Sequence, residues 1–571
     1  MGSIESPLDD LLDKKTAVAM ILRLLAFSAL LVSACDAYKI LVYSPKIGHS
    51  HVKFLGFIAD TLVEAGNDVT VLLPEVHPII VDTNGTRLAK IVPVEVDERI
   101  REIFDVEDAI KNYWTLDAQN PLSQLSMFKD YLKSAEMLCE DFLKKTDVLQ
   151  WIKDEKFDVV ISEAFDVCFI GSYKALGIRA HIVASATFLF ETVSYAAGVP
   201  FPPSTIPSSI SGLLDQMSFT ERAKNLMGVG VIHMWMGGMM AVHQSVIDRK
   251  FGKGYSNVLE EISDCSLIIT NSDPLLDFPR PTLDKVINIG GVSIPVPKPL
   301  DKSWEDKMAL REMNVLVSFG SIAKAHLMPM EMKKSILRVF LQFPNVTFFW
   351  KYETSEDEIA MSLPPNVIIS KWVPQNDLLN HKKMSLFITH AGMNSILEAA
   401  NRGVPLLCIP VFGDQMRNAK TVVKAGIGEE MNKLELLDSG AMAKKVRRML
   451  EENKYQKAAV RLAEMMANRP ISQKEHLVRS VEFVARFGRL PNMKPASVKL
   501  TFAEYYLLDI IAVFVVSVLV VVVVSFIILR VTFRVLRFVV HAVLSSAPEL
   551  KQGAVRERSG RAVSNSKPKA E

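Results

Sequence analysis

The sequence predicts two α/β domains with parallel, doubly wound sheets, followed by one membrane-spanning helix. Two separate stretches each open with an apolar strand, a small-residue loop and an amphipathic helix, at Tyr38–Ala65 and at Val315–Leu341. Apolar strands and helical segments alternate after each opening. Near the C-terminus, Ile510–Leu529 is a run of 20 residues interrupted only by Ser517 and Ser525.

In the first half, Tyr38–Ser44 (YKILVYS) reads as a strand and PKIGHSH as a loop. Val52–Ala65 follows as a helix with Leu55, Ile58 and Leu62 on its apolar face, and Gly66 ends it. DVTVLLP is the next strand. Residues 105–155 and 211–261 read as helical and are rich in Met, Leu and Trp. Within them, GVGVIHMWMGGMMAVH is apolar, but its glycines and two histidines make it a poor membrane span. Ordinary core is the plain reading of that segment, beside a substrate pocket or contact with a membrane surface. The proline-rich stretch from Pro274 to Trp304 reads as the interdomain linker.

In the second half, Val315–Phe319 is a strand, GSIAKAHL a loop, and a helix runs from about Pro329 to Leu341. TFFWKY, NVIIS, SLFITH and PLLCIP follow as strands. Their near-continuous apolar character fits parallel strands buried on both faces. The division expected is an extension and leader at 1–37, domains at 38–285 and 286–490, a membrane helix at 507–529, and a tail at 530–571.

The 20-residue apolar run matches the thickness of a bilayer core at ~1.5 Å per residue. Arg530, Arg534 and Arg537 follow at once and predict a cytosolic C-terminus, with the body of the chain across the membrane. Tyr505 and Tyr506 would sit at the far interface. Met20–Ala37 has a basic residue, an apolar segment and small residues before Tyr38, the pattern of a secretory signal peptide. The preceding residues are unusually long and acidic for such a leader, so Met1 and Met20 both stand as starts. Lys567 and Lys569 place a dilysine-like pattern near the C-terminus, as in retrieval signals of the endoplasmic reticulum. Asn84 (NGT) and Asn345 (NVT) are glycosylation acceptors in that compartment.

The chain of 571 residues has a net charge of +2, unevenly spread. The tail from Arg530 carries 9 Lys/Arg against 3 Asp/Glu, and no basic stripe with interleaved aromatics marks a nucleic-acid surface. Of 5 cysteines, Cys35 lies in the leader. Cys139, Cys168, Cys265 and Cys408 have neither metal spacing nor a framework pattern, so buried free thiols are the default, with two disulfides left open.

Trp372 to Gln415 is the most informative stretch. SLFITH makes a buried strand, AGMN a small-residue turn, and Ser395–Ala400 opens a helix that Gly403 stops. A helix start after a strand offers unpaired N–H groups and a positive dipole end to an anion. Glu398 lies one turn further on, within reach of a ribose diol. PLLCIP is a second apolar strand, and Gly413, Asp414 and Gln415 sit at its carboxyl end, where open α/β sheets bind ligands. The unit is suited to holding a sugar nucleotide.

These 44 consecutive positions, with WxPQ, HxGxNSxxE and DQ, closely resemble the signature of the UDP-glycosyltransferases, which include the animal UDP-glucuronosyltransferases. The rest of the chain from Tyr38 is similar to membrane-anchored, nematode-like members of that family. The resemblance implies the GT-B fold, with two Rossmann-like domains facing a cleft. It implies that Trp372 and Gln375 frame the uracil and ribose and that Glu398 accepts from ribose hydroxyls. Ser321, His390, Gly392, Asn394 and Ser395 would hold the diphosphate, and Asp414 and Gln415 the sugar hydroxyls.

The family places its base at the histidine of an SH motif, here His51, with His49 as the rival. The positive end of the helix should keep that imidazole neutral near pH 7. Glu163 follows the strand Phe157–Ile161 and would orient the second ring nitrogen; relatives often have aspartate there, and Asp166 is the alternative.

The function expected is transfer of a sugar from UDP-glucuronate, or UDP-glucose as runner-up, to the hydroxyl of a small lipophilic acceptor, with inversion. No permanent cofactor and no metal are expected, since a helix end and side chains can stabilise the leaving diphosphate. A lipid bilayer is the expected partner, nucleic acid is not, and a homo-oligomer stays open. The presence of His51, Asp414 and Gln415 weighs against a non-catalytic lumenal protein that binds sugar nucleotides or lipids.

Overall fold

The computed structural model describes residues 37–76, 83–104, 113–116 and 125–546. The expected signal peptide before Ala37, Cys35, and the Lys567 and Lys569 pattern lie outside the described residues.

Seven parallel strands form the first sheet: β1 (Lys39–Tyr43), β2 (Asp68–Pro74), β3 (Lys90–Val94), β4 (Val159–Glu163), β5 (Ala180–Ser185), β6 (Leu267–Thr270) and β7 (Val286–Asn288). Their order is β3-β2-β1-β4-β5-β6-β7. The second sheet holds β8 (Met313–Ser318), β9 (Val346–Lys351), β10 (Val367–Ser370), β11 (Met384–Thr389), β12 (Leu406–Cys408) and β13 (Gly428–Glu430), in the order β10-β9-β8-β11-β12-β13. Both orders start from a central strand, run outward, and return to its other side. Both are therefore doubly wound, with a reversal of direction beside β1 and beside β8.

Burial explains the strand composition. Ile40, Leu41, Val42 and Tyr43 are all buried, because helices cover both faces of β1. Ile40 sits level with Val69 on one side and Val159 on the other. In the second sheet, Phe340 of the helix Met330–Leu341 stacks on Phe348 of β9 with ring centroids 4.0 Å apart. The GT-B architecture is present.

The expected boundary at 285/286 falls one strand too early. Residues 286–288 form β7 and complete the first sheet by pairing with β6. Three residues in a proline-rich stretch carry too little periodicity to announce a strand. The chain also returns to its first half at the end. The helix Gln473–Phe487 places Leu477, Val481 and Val484 in one apolar cluster with Ile40, Val42, Leu55 and Ile58. Asn67 Nδ2 donates to Glu482 Oε1 of that helix at 3.0 Å.

The segment 228–243 belongs to one long helix, Phe219–Phe251, that starts in a capping box formed by Ser218 and Glu221. Ile232, Met236, Met239 and Met240 pack into the first-domain core, while Leu226, Met227 and Met234 are exposed.

Cys139 and Cys168 form a disulfide with their Cα atoms 5.5 Å apart, which corrects the free-thiol reading for this pair. Cys265 and Cys408 are free and buried. The bridge ties the helix Leu125–Lys144 to the short helix Cys168–Ser172 just beyond β4. Nothing in the spacing of 29 residues signals it, because the tertiary fold alone brings the two helices together. Replacing both cysteines by alanine is expected to cost about 3–4 kcal/mol by releasing that loop. Denaturant unfolding of the two forms would measure it, and equal midpoints would exclude the bridge as a stabilising element.

From Lys499 onward the chain is a separate compact unit. It comprises the short helix Phe502–Tyr505 and a 38-residue helix, Leu508–Ser545, whose side chains are all exposed. At ~1.5 Å per residue the long helix exceeds a bilayer core of ~30 Å. Ile510–Leu529 fits that thickness as an anchor. The expected tail does not begin as a tail, since Arg530, Arg534 and Arg537 continue the same helix.

Candidate active site

A cleft of about 710 Å³ lies between the two sheets. Its walls come from the loops after β1, β4 and β5 on one side and after β8, β11 and β12 on the other. Each wall thus includes the reversal point of its own sheet, where strand ends and helix starts converge. All the expected site residues line this cleft except Glu163, which lies behind His51.

On the first wall, the helix His49–Glu64 begins three residues earlier than its sequence suggests. Gly48 is its extended N-cap and offers no side-chain cap, so the usual start signal is missing. His51 therefore lies in the first turn. Its Nδ1 is 3.1 Å from Glu163 Oε2. Glu163 is fully buried at the end of β4, and its Oε1 accepts from the backbone N–H of Ala164 at 3.0 Å. The glutamate reaches the imidazole despite its extra methylene.

Donation from Nδ1 to Glu163 leaves Nε2 as the basic atom of His51. Burial pulls the His51 pKa down, but the charge of Glu163, its hydrogen bond and the charge of Asp414 together raise it above the ordinary value. The expected neutralising effect of the helix end is thus overturned. Two carboxylates outweigh a partial dipole charge that falls off within one turn.

Asp166, the alternative partner, is engaged elsewhere. Its carboxylate accepts from Tyr43 Oη at 2.8 Å and from the backbone N–H of Cys168 at 3.0 Å, and faces His243 Nε2 at 3.6 Å. His49 also lines the cleft; burial, Lys53 and Lys351 lower its pKa.

On the second wall, His390 follows β11 and is wedged between two glycine backbones. A Cβ on Gly392 would come within 2.5 Å of the His390 ring, and one on Gly320 within 2.7 Å. Gly320 also has φ +85°, which favours glycine. Burial, with Lys351 as the nearby cation, pushes the His390 pKa down to about 4 against a hydrogen bond to the Ser318 backbone, so the ring is uncharged. Ala391 takes a left-handed φ of 64° without being glycine, a local strain at the turn into the next helix.

That helix, Met393–Arg402, is capped by Gly392 and points its first N–H groups at the cleft. Gln375 Nε2 donates to Ser395 Oγ at 3.2 Å and to Glu398 Oε2 at 2.6 Å, so these three side chains act as one group. Trp372 is 65% exposed beside them, with Lys351 Nζ over its ring at 5.4 Å from the centroid. Ser321 lies just past Gly320 at the same mouth. Asn394 Oδ1 accepts from Asn271 Nδ2 at 2.7 Å, joining the second wall to the end of β6.

Asp414 is the N-cap residue of the helix Gln415–Lys424. Burial raises its pKa, while a hydrogen bond from Asn418 Nδ2 at 2.8 Å opposes this. Gln415 Oε1 accepts from the backbone N–H groups of Val411 and Phe412 at 2.8 and 3.1 Å. Its amide N–H₂ is the group it has for a ligand.

Sequence reasoning missed the cations that line the cleft, Lys351 and Lys53 among them. Lys351 Nζ donates to the Gly320 carbonyl at 2.5 Å, and burial lowers its pKa. A lysine closing the otherwise apolar strand β9 at its carboxyl end was the available signal. Lys53 Nζ lies 3.5 Å from Glu398 Oε1 across the cleft, and no sequence pattern announces that pairing. Among the described residues no cluster of three or more His, Cys, Asp or Glu could hold a metal ion.

Comparison with known proteins agrees with this geometry. The profile of the family described as UDP-glucoronosyl and UDP-glucosyl transferase matches residues 38–544. The Caenorhabditis elegans protein ugt-46 is 31% identical over 496 residues, covering 85% of this chain and 92% of its own length. Human UDP-glucuronosyltransferase 3A2 is 30% identical over 487 residues, covering 83% and 90%. Among solved structures, the glycosyltransferase VinC in complex with DTDP superposes with a TM-score of 0.52 at 16% identity, covering 79% of this chain and 100% of its own. The spinosyn forosaminyltransferase SpnP does so with a TM-score of 0.51 at 20% identity, covering 79% and 100%. At that identity these two support the fold. The length of the profile match and the shared cleft lead to one conclusion: the chain is a UDP-glycosyltransferase and belongs to the UDP-glucoronosyl and UDP-glucosyl transferase family.

Proposed function

We propose that the enzyme moves glucuronic acid from UDP-glucuronate to a hydroxyl of a small lipophilic acceptor, with inversion at the anomeric carbon. The observation that carries this reading is the His51–Glu163 pair, set in the same cleft as Asp414 and Gln415. The acceptor oxygen attacks the anomeric carbon while His51 Nε2 takes its proton. The bond from that carbon to the diphosphate oxygen breaks, and UDP leaves with the electron pair. Glu163 orients the ring and stabilises the imidazolium that forms. Charge on the leaving diphosphate is met by the helix start at Gly392, the hydroxyls of Ser321 and Ser395, and Asn394, with the uncharged His390 ring packed beside them.

Trp372 stacks on uracil, and Gln375 with Glu398 binds the ribose. Asp414 accepts from sugar hydroxyls and Gln415 donates to one. The acceptor wall holds Phe165, Phe190, Ile210, Ile232 and Trp235, which suits an apolar ring system. Relatives named UDP-glucuronosyltransferase support glucuronate as the sugar. The enzyme works from the lumenal side of the endoplasmic-reticulum membrane, anchored by Ile510–Leu529 with Arg530, Arg534 and Arg537 on the cytosolic side.

The test uses microsomes carrying the full chain, supplied with UDP-glucuronate or UDP-glucose and a panel of phenols and steroids. Mass analysis should find glucuronides. Glucosides alone would replace the donor, and a chain whose thermal unfolding UDP does not raise would overturn the donor site.

A further inference from the structure

Arg417 stands in the first turn of the helix Gln415–Lys424, three residues after Asp414. It is 1% exposed, yet the groups that hold it come from the other domain. Nη2 donates to Asp277 Oδ1 at 2.6 Å. The guanidinium carbon lies 3.9 Å from the ring centroid of Phe188 and 5.0 Å from that of Phe278. Phe188 follows β5, and Asp277 and Phe278 lie between β6 and β7, so all three belong to the first domain. Arg469, also from the second half, pairs with Asp273 in the same segment.

This arrangement is a poor way to gain stability. A buried ion pair roughly breaks even against apolar residues of the same size. Here Nε and Nη1 of Arg417 have no hydrogen-bond partner among the described residues, which adds a desolvation cost. What the pair does supply is direction. A planar guanidinium clamped between two rings and a carboxylate fixes one rotation and one height of its helix.

That helix carries Asp414 at its start, and Asn418 one turn on holds both the Asp414 carboxylate at 2.8 Å and the strained Ala391 carbonyl at 3.3 Å. The Asn418 contacts register the helix to the donor loops, and Arg417 registers it to the domain that carries His51.

We propose that Arg417 is a positioning residue that sets the sugar-holding pair Asp414 and Gln415 in line with the base His51, across the domain boundary. The proposal rests on the reading that Asp414 and Gln415 bind the transferred sugar. UDP itself is bound by residues of the second domain, so its affinity should not depend on the clamp, whereas transfer should.

In the full membrane-bound chain, Arg417→Met should lower kcat roughly 10- to 100-fold, the loss typical of a misplacement near 1 Å. UDP affinity, measured by displacement of a labelled nucleotide, should stay within about twofold, since removing no contact to the nucleotide costs it little. Arg417→Lys keeps the charge and should retain folding, with kcat between wild type and Arg417→Met. Asp277→Asn should reproduce the loss, and the double variant should be no worse than either single one. An unchanged kcat in the folded variants would overturn the proposal. So would a parallel fall in kcat and UDP affinity, which marks general loosening. Asp414→Asn separates the two levels: if that variant transfers sugar normally, the sugar-contact reading itself fails. If it is impaired while Arg417→Met is not, the positioning role alone fails.

Discussion

Replacing His51 by alanine is expected to lower sugar transfer by roughly 10²- to 10⁴-fold while leaving UDP-induced thermal stabilisation intact. The size follows from what one side chain supplies. An unassisted hydroxyl is a weak nucleophile near neutral pH, and the role proposed for Nε2 is to take its proton. The side chain is locked by the 3.1 Å contact of Nδ1 with Glu163 and by the Phe165 ring at 5.3 Å, so no rotation could substitute another atom. His49 lines the same cleft, but burial, Lys53 and Lys351 weaken it as a base, and it should not rescue the variant. Product mass analysis under saturating donor would check this, and a variant within tenfold of wild type would remove His51 from the chemistry.

Glu163→Gln is expected to lower the plateau rate roughly 10- to 100-fold and to move the acid limb of the pH profile to lower pH. The sign follows from the charges. The base must be unprotonated, so the rate rises as pH climbs through the pKa of His51. Burial lowers that pKa, while the Glu163 charge, its hydrogen bond and Asp414 raise it above the ordinary imidazole value. Removing the Glu163 charge leaves Asp414 alone against burial, and the pKa falls. The variant then holds its base unprotonated at lower pH, although the ring is less well oriented and the imidazolium less stabilised. An acid limb that stayed in place or moved upward would show that Glu163 does not set this titration.

The two predictions also mark where the sequence was legible. Short-range patterns were informative: β8, β11 and β12 lie where their apolar runs stand, and the helix read from Ser395 is present, although it opens two residues earlier, at Met393. Glu163 was preferred to Asp166 on its place at a strand end, and the structure gives each carboxylate a different neighbour. Local reasoning failed where distant residues decide. The helix dipole beside His51 was visible in the sequence, but the opposing carboxylates are Glu163, 112 residues away, and Asp414, on the other domain. The disulfide, the Lys53–Glu398 approach and the Arg417 clamp likewise join residues that no spacing connects. The start of the first helix was missed because Gly48 is an N-cap without a side-chain acceptor.

The helix Gln473–Phe487 has a consequence for how this protein can be handled. Leu477, Val481 and Val484 complete the apolar layer over β1, although they follow the entire second sheet in the chain. A fragment ending after β7 would therefore leave Ile40, Val42 and Ile58 facing water on one side. A fragment beginning at β8 would carry an unpartnered greasy helix. The two lobes are separable on paper by sheet membership, but as molecules each borrows its finish from the other. Late synthesis of this helix also means that the nascent first lobe waits, unsealed, until nearly everything ahead of the C-terminal apolar helix has been made.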